Sequence, residues 1–199
     1  MCTTDIESVN VAVIAGHDAD ISVELLRGLR LREIRVFSNQ LANQQKWHKL
    51  RPPRVFASEV PSSISEFKRA FRGVDVVLGG DDMKTQHIAA FAASEIGAPF
   101  ITWGIVTVIL PDGYAFDELE FSCDPNMLPG DTAADQPLRW IFNSVVRAYQ
   151  IMELFNLFTG IGEPTFAPFA WKFSCIPNIT ARKIELSIRR LSRRLNTTP

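Results

Sequence analysis

Asp81 and Asp82 stand side by side after the apolar run VDVVLGG. Paired carboxylates suit a hard cation, which takes oxygen ligands and a negative site. Either acid can equally cap a helix that begins near Met83. A second chemically suggestive place is the turn Ile14-Ala15-Gly16-His17-Asp18-Ala19-Asp20. A strand feeding a glycine turn and then a helix is the layout that cradles phosphate on backbone amides. Only Gly16 is present here, and Asp18 and Asp20 put negative charge where phosphate would lie. A like-charge pair at ~4 Å costs about 1 kcal/mol even when screened. The same acids can serve as helix N-caps, and His17 reads as a surface turn residue. The last chemically distinct stretch is ARKIELSIRRLSRRL, residues 181–195. Arg182, Lys183, Arg189, Arg190, Arg193 and Arg194 oppose a single Glu185, and Ile184, Ile188, Leu191 and Leu195 share one helical face.

These residues need elements to hold them. Residues 9–15 are a short β-rich run that suits a buried strand, and 34–37 and 54–58 read as further strands. Residues 20–29 read as a helix, and 64–72 as another, capped by Ser63 with Glu66 closing a capping box. A strand over 74–79, a helix over 83–96 and a strand over 99–104 follow, with a further short strand over 106–110. This β/α alternation predicts an α/β, Rossmann-like, largely parallel sheet with helices on both faces. Residues 40–53 and 111–137 read as polar or Pro/Gly-rich loops. One long helix spans 138–158, with Leu138, Ile141, Phe142, Val145, Tyr149, Met152 and Phe155 at helical spacing. Trp140, Phe142, Tyr149, Phe155 and Phe158 are spread around it, which predicts burial of one part on the sheet and of another in an interface. The helix stops at Gly160 and Pro164. Residues 165–174 suit edge strands. The reading is one α/β domain over 1–180 and a basic amphipathic helix over 181–199.

Composition limits the function classes. A chain of 199 residues with 46% hydrophobic residues and 14 Phe can bury a sizeable core. A formal charge of -1 gives no overall bias toward polyanions. The three cysteines, Cys2, Cys123 and Cys175, form no C-x-x-C pair, so no zinc is expected. Scattered thiols and a beginning without a basic-then-apolar segment point to the cytoplasm. Phe and Trp are not interleaved with the basic residues near the end, which argues against a single-strand nucleic-acid platform. That basic stretch can pack on the acidic remainder of its own chain or dock on a partner; nucleic acid and membrane are not the expected partners.

Two stretches carry a family resemblance. VDVVLGGDDMKTQHIAAFAASEIGAPFITWGI (74–105) and MELFNLFTGIGEP (152–164), in this order, resemble the ThiF/MoeB family, the fold family of the ubiquitin-activating enzymes. The resemblance spans roughly 9–172 and is weakest in the first 70 residues. It implies ATP-dependent adenylation of the C-terminal carboxylate of a carrier protein or peptide. It assigns Asp82 to magnesium and phosphate orientation, with Asp81 beside it. It sets Gly16 at the phosphate turn, and puts the ribose-binding acid at about Ser38, a neutral residue. A phosphate-binding Arg is expected within NQQKWHK (43–49), where Lys46, Lys49 or Arg51 can stand in. His87 takes the place of another family Arg. The resemblance implies a dimer, homomeric or with a related subunit. With glycine loop, ribose acid and arginine altered together, the expected role is a binding or partner subunit in such a pathway, with ATP and magnesium bound weakly or not at all. The competing expectation is a divergent working adenylyltransferase that uses Asp82 and magnesium. In either case Arg189, Arg190, Arg193 and Arg194 are the expected partner-binding residues.

Overall fold

The computed structural model describes residues 5–16, 18–39, 47, 53–121, 136–174 and 179–189. Strands β1 (Asn10–Ile14), β2 (Glu33–Phe37), β3 (Arg54–Ser58), β4 (Val76–Leu78) and β5 (Phe100–Ile101) run parallel. Two further short strands are β6 (Ile105–Val106) and β7 (Val108–Ile109). The main sheet has the order β3-β2-β1-β4-β5-β7, with only β7 antiparallel to its neighbour. In register, Val11 lies between Ile34 of β2 and Val76 of β4.

The period-two alternation of β1 divides the core. Val11 and Val13 face one side, with Val23 and Leu26 of α1 (Ala19–Arg27) and Phe142, Val146 and Leu154 of α4 (Gln136–Thr159). Ala12 and Ile14 face the other, with Phe67 of α2 (Ile64–Ala70) and Ala89, Ala92 and Ala93 of α3 (Met83–Glu95). Helices therefore cover both faces, as expected from the alternation. Ser63 caps α2 through Glu66, whose carboxylate in turn accepts the Ser62 amide at 2.8 Å. Gly160, at φ 66°, ends α4 in the left-handed conformation that a side chain would resist.

The segment expected as one strand over 106–110 is divided at Thr107. Its buried hydroxyl donates to the carbonyls of Thr165 and Phe169, so β6 and β7 enter different sheets. β6 joins an antiparallel sheet with β8 (Phe169–Ser174) and β9 (Thr180–Glu185).

The basic helix expected from residue 181 is corrected by β9. Residues Thr180–Glu185 form a strand paired along its length with β8, from Ser174↔Thr180 to Phe169↔Glu185. Apolar residues four apart are compatible with a helix, but a short isolated helix is marginal in water. The strand closes the open edge of β8 and packs Ala181 and Ile184 against the core. Its exposed Arg182 and Lys183 lie on an outer edge, where charge discourages further pairing. Among the described residues no helix is long and apolar enough to cross a membrane.

Helix α4 is rotated from a simple amphipathic reading. Phe142 is buried, but Ile141 and Met152 face outward, along with Trp140 at 60% exposure. The inward face instead carries Asn143, Arg147, Gln150 and Glu153 among its apolar residues.

Candidate functional site

The strand order reverses between β1 and β4, and ligands of open α/β sheets bind at the carboxyl ends flanking such a point. The turn leaving β1 and the turn leaving β4 meet there. A Cβ built on Gly80 would lie 2.8 Å from the Ile14 carbonyl oxygen, so glycine there lets the two turns touch; at Gly16 the neighbour is the exposed Asp81 carboxylate, 2.9 Å from a built Cβ. Ala15 is held by its amide on Phe37 O, at 2.9 Å, which fixes the exit of β1 beside the end of β2.

Asp18 occupies the N-cap position of α1 but makes no side-chain capping bond. Its Oδ1 accepts the Gly16 amide at 3.1 Å. Its Oδ2 accepts from Arg147 Nη2 at 2.7 Å and Nε at 3.0 Å. The same guanidinium donates to Ile14 O at 3.2 Å, Gly79 O at 3.1 Å and Gln150 Oε1 at 2.7 Å. Gln150 Nε2 then reaches Gly79 O, Ile101 O and Thr102 O at 2.9–3.2 Å. Arg147 and Gln150 are fully buried, and Asp18 is 3% exposed. Two side chains of α4 thus tie together the carboxyl ends of β1, β4 and β5. The carboxylate of Asp18 stands at the head of α1, the place where an anion is favoured by unsatisfied amides and the helix dipole.

The remaining expected residues are dispersed. Ser38 lies buried at the end of β2, its amide bonded to Ser58 O at 3.0 Å. Asp81 is exposed at the mouth of the crevice, against Gly16. Asp82 caps α3: its Oδ2 accepts the Thr85 amide at 2.8 Å and a short bond from the Thr85 hydroxyl. That hydroxyl, with the Thr85 and Lys84 amides behind it, holds the Asp82 carboxyl below its ordinary range. Asp20 accepts the Trp47 indole N–H at 3.0 Å. His87 turns toward the ring of Phe116, not the crevice. Among the described residues no three His, Cys, Asp or Glu side chains gather as metal ligands. Arg189 is exposed and pairs with Glu120 at 3.4 Å. Lys46, Lys49, Arg51, Arg190, Arg193, Arg194, His17 and all three cysteines lie outside the described residues.

Arg147 and Gln150 were not among the site residues expected from sequence. The signal for them was present. Asn143, Arg147, Gln150 and Glu153 fall three or four residues apart, which sets them on one face of the helix. Glu153 belongs to the same face: its carboxylate accepts the Thr165 amide at 2.6 Å and the Trp171 indole at 2.8 Å. It fastens the TGIGEP turn and β8 to the helix.

Comparison with known proteins identifies the fold. No family model matches the chain, and no curated protein sequence does. Solved structures do match. The crystal structure of PaaA superposes with a TM-score of 0.65 at 13% identity, over 93% of this chain and 66% of that one. E. coli MccB superposes with a TM-score of 0.54 at 12% identity, over 93% of this chain and 64% of MccB. A second MccB structure, with MccA present, gives 0.56 at 13% identity, over 95% and 67%. The chain therefore spans about two thirds or less of the first two neighbours' own length. At this identity the likeness is one of fold: the protein has the α/β, ThiF/MoeB-like architecture of PaaA and MccB.

Proposed function

We propose that this chain is a nucleotide-independent partner or binding subunit built on a ThiF/MoeB-like fold, acting where another protein activates the C-terminal carboxylate of a carrier protein or peptide. The reading is carried by one observation: the glycine turn at the end of β1 is already occupied by Asp18, locked by Arg147. The Gly16 amide that would meet a phosphate donates to Asp18 instead. A triphosphate would also face Asp81 across Gly16. To admit it, the chain would have to release a buried ion pair and the strand-end carbonyls that Arg147 holds. Breaking such a pair costs about 3–5 kcal/mol, comparable with the whole binding energy of a millimolar ligand, about 4 kcal/mol. Magnesium fits no better, because Asp82 Oδ2 is committed to Thr85 and, among the described residues, no three acids or histidines gather to hold a metal. No adenylation step is therefore routed through these residues.

The outer face of α4 supports a role in assembly. Trp140, Ile141 and Met152 are exposed along one helix, which is the composition of a protein contact and not of a solvated face. A dimer with a second copy or with a related pathway subunit is the proposed use of this face. MccB has been captured with MccA, which motivates a carrier or peptide in the same assembly.

Titration calorimetry with ATP and magnesium, alongside ATP–pyrophosphate exchange, tests the reading. The expected outcome is a Kd of about 1 mM or weaker and no exchange. Micromolar binding with exchange abolished by Asp82→Ala would replace it with the working-adenylyltransferase reading.

A further inference from the structure

On the sheet face opposite Arg147, helix α3 leaves Met83, His87 and Phe91 exposed, four residues apart and so on one side of the helix. Its inner side is already packed through Ala89, Ala92 and Ala93. Met83 is 48% and Phe91 50% exposed, and an apolar stripe of this kind marks a contact surface. Phe91 also walls a cavity of about 350 Å³ between α3 and the segment after β7, with Ile109, Tyr114 and Phe116 opposite. That opposite wall is firmly held. The ring of Phe116 meets those of His87, Phe100 and Phe121 at centroid distances of 4.7–6.1 Å.

The charge at this cavity has one sign. Asp117 and Glu118 line it, and exposed Asp112 stands between two lining residues, Pro111 and Gly113. Among the described residues no lysine or arginine lines it. Glu118 gives one carboxylate oxygen to the Ala115 amide, at 2.9 Å. Asp112 and Asp117 make no hydrogen bond or ion pair, so both carboxylates are available. The neighbouring cations serve other acids: Lys84 acts on Asp82, and Arg189 bonds Glu120 at 3.4 Å. An apolar cavity with an acidic rim selects an apolar anchor with a cationic flank. An anion would be repelled, and the aromatic wall adds attraction for a cation. From Met83 to Phe91 the stripe runs about 12 Å along the helix, further than one small amine can cover. A chain segment can cover it.

We propose that the outer face of α3 docks a partner's peptide segment, which seats one large apolar side chain in the cavity and sets a neighbouring lysine or arginine on Asp112 or Asp117. An apolar anchor in a pocket with a polar rim is the arrangement that carries binding energy in protein contacts. The inference stands apart from the proposed function, since it concerns neither the β1 turn nor the outer face of α4.

Amide nitrogen–proton NMR spectra of the full 199-residue chain test it. The probes are three acetylated, amidated tripeptides: lysine–tryptophan–lysine, glutamate–tryptophan–glutamate and lysine–alanine–lysine. The basic aromatic peptide should bind with a Kd of about 1 mM or tighter, shifting the amides of Phe91, Ser94, Tyr114 and Asp117. Loss of its aromatic residue should weaken binding by about fivefold or more, as for an interface anchor. Exchange of its lysines for glutamates should weaken it about fivefold, as for one or two exposed ion pairs. Asp112→Lys with Asp117→Lys should invert that preference, and Phe91→Ala should weaken the basic aromatic peptide about fivefold. These three positions are exposed, and circular dichroism verifies that the variants keep the fold. Shifts centred on Trp140 and Met152, equal affinity for the acidic and basic aromatic peptides, or indifference to Phe91→Ala would overturn the proposal. Two further outcomes would overturn it by naming another occupant. Phenethylamine binding more tightly than the basic aromatic peptide would mean a small amine. The same amides shifting as the protein alone is concentrated would mean a second copy.

Discussion

Asp18 and Asp82 occupy equivalent places and carry opposite loads. Each follows a central parallel strand and stands at the N-cap of the next helix. Asp82 stays at the surface and caps, meeting the Thr85 amide and hydroxyl. Asp18 is buried, makes no capping bond, and is held by a guanidinium delivered from 129 residues away in sequence. Residue type and local position are the same; the helix above each one differs. Arg147 of α4 lies over Asp18, so that carboxylate becomes part of the tertiary structure. Exposed Asp82 remains a local device worth a fraction as much.

The comparison breaks most visibly at Arg147. Arg147→Ala should lower unfolding free energy by about 3–5 kcal/mol, because Asp18 is left buried without its cation. Urea unfolding followed by tryptophan fluorescence measures it. Asp18→Asn combined with Arg147→Met should lose clearly less than Arg147→Met alone, since the stranded charge is gone. A single-variant loss under about 1 kcal/mol would mean that water reaches Asp18, whose cost would then fall to the level of a surface pair.

Gln150→Leu sharpens the same side. It keeps the volume but leaves the Thr102 carbonyl and one Arg147 donor unmet, while Gly79 O retains Arg147 and Ile101 O retains the Gly79 amide. Each buried group left unmet costs about 1–3 kcal/mol, so a total of at least about 2 kcal/mol is expected for the two. The midpoint shift in the same urea series checks it. An equal loss in an Arg147→Ala background would show that the two side chains act independently; a smaller one would show that they form one unit.

This contrast explains how far the sequence could be read. The alternation of short β-rich runs with helices, the Ser63 and Asp82 caps and the Gly160 stop are local, and each was legible. They depend on neighbours within a few residues. The β1 turn was legible as acidic and short of glycine. Its lock was not, because Asp18 meets Arg147 only after the whole sheet is assembled. Arg147 was not singled out on the mostly apolar helix, although its spacing with Asn143 and Gln150 marks a polar strip. Residues 180–185 misled for a related reason. Helical spacing of Ile184 and Ile188 is local, but the open edge of β8 is supplied by tertiary structure and decided the matter.

On the other side of the comparison, Asp82→Ala should cost about 1 kcal/mol, the ordinary loss of a helix cap. Its effect on a complex formed through α4 should be nil, because α3 and α4 cover opposite faces of the sheet. Thermal melting and sedimentation of the same sample separate the two effects. A loss above about 3 kcal/mol would place Asp82 in the same class as Asp18 and erase the distinction.

The smallest effect concerns acid. The Thr85 hydroxyl lowers the Asp82 carboxyl below its ordinary value of 3.8 in the folded chain. A depressed folded value means that the unfolded chain takes up the proton first as pH falls. The cap's contribution is therefore complete above the unfolded value and is lost as pH drops from there through the folded one. Asp82→Asn keeps the cap without the titration, since Asn is as good an N-cap as Asp. Its stability relative to the parent should be within a few tenths of a kcal/mol at pH 7 and should improve by a similar amount between pH 4 and 2.5. Glu66, lowered by the Ser62 amide, shifts in the same direction, but it is present in both proteins and cancels in the difference. Parallel urea curves for parent and Asp82→Asn at both pH values read the difference directly. A difference that stayed the same at both pH values would mean that the Asp82 carboxyl titrates alike in the folded and unfolded chain, and that the Thr85 hydroxyl does not hold it.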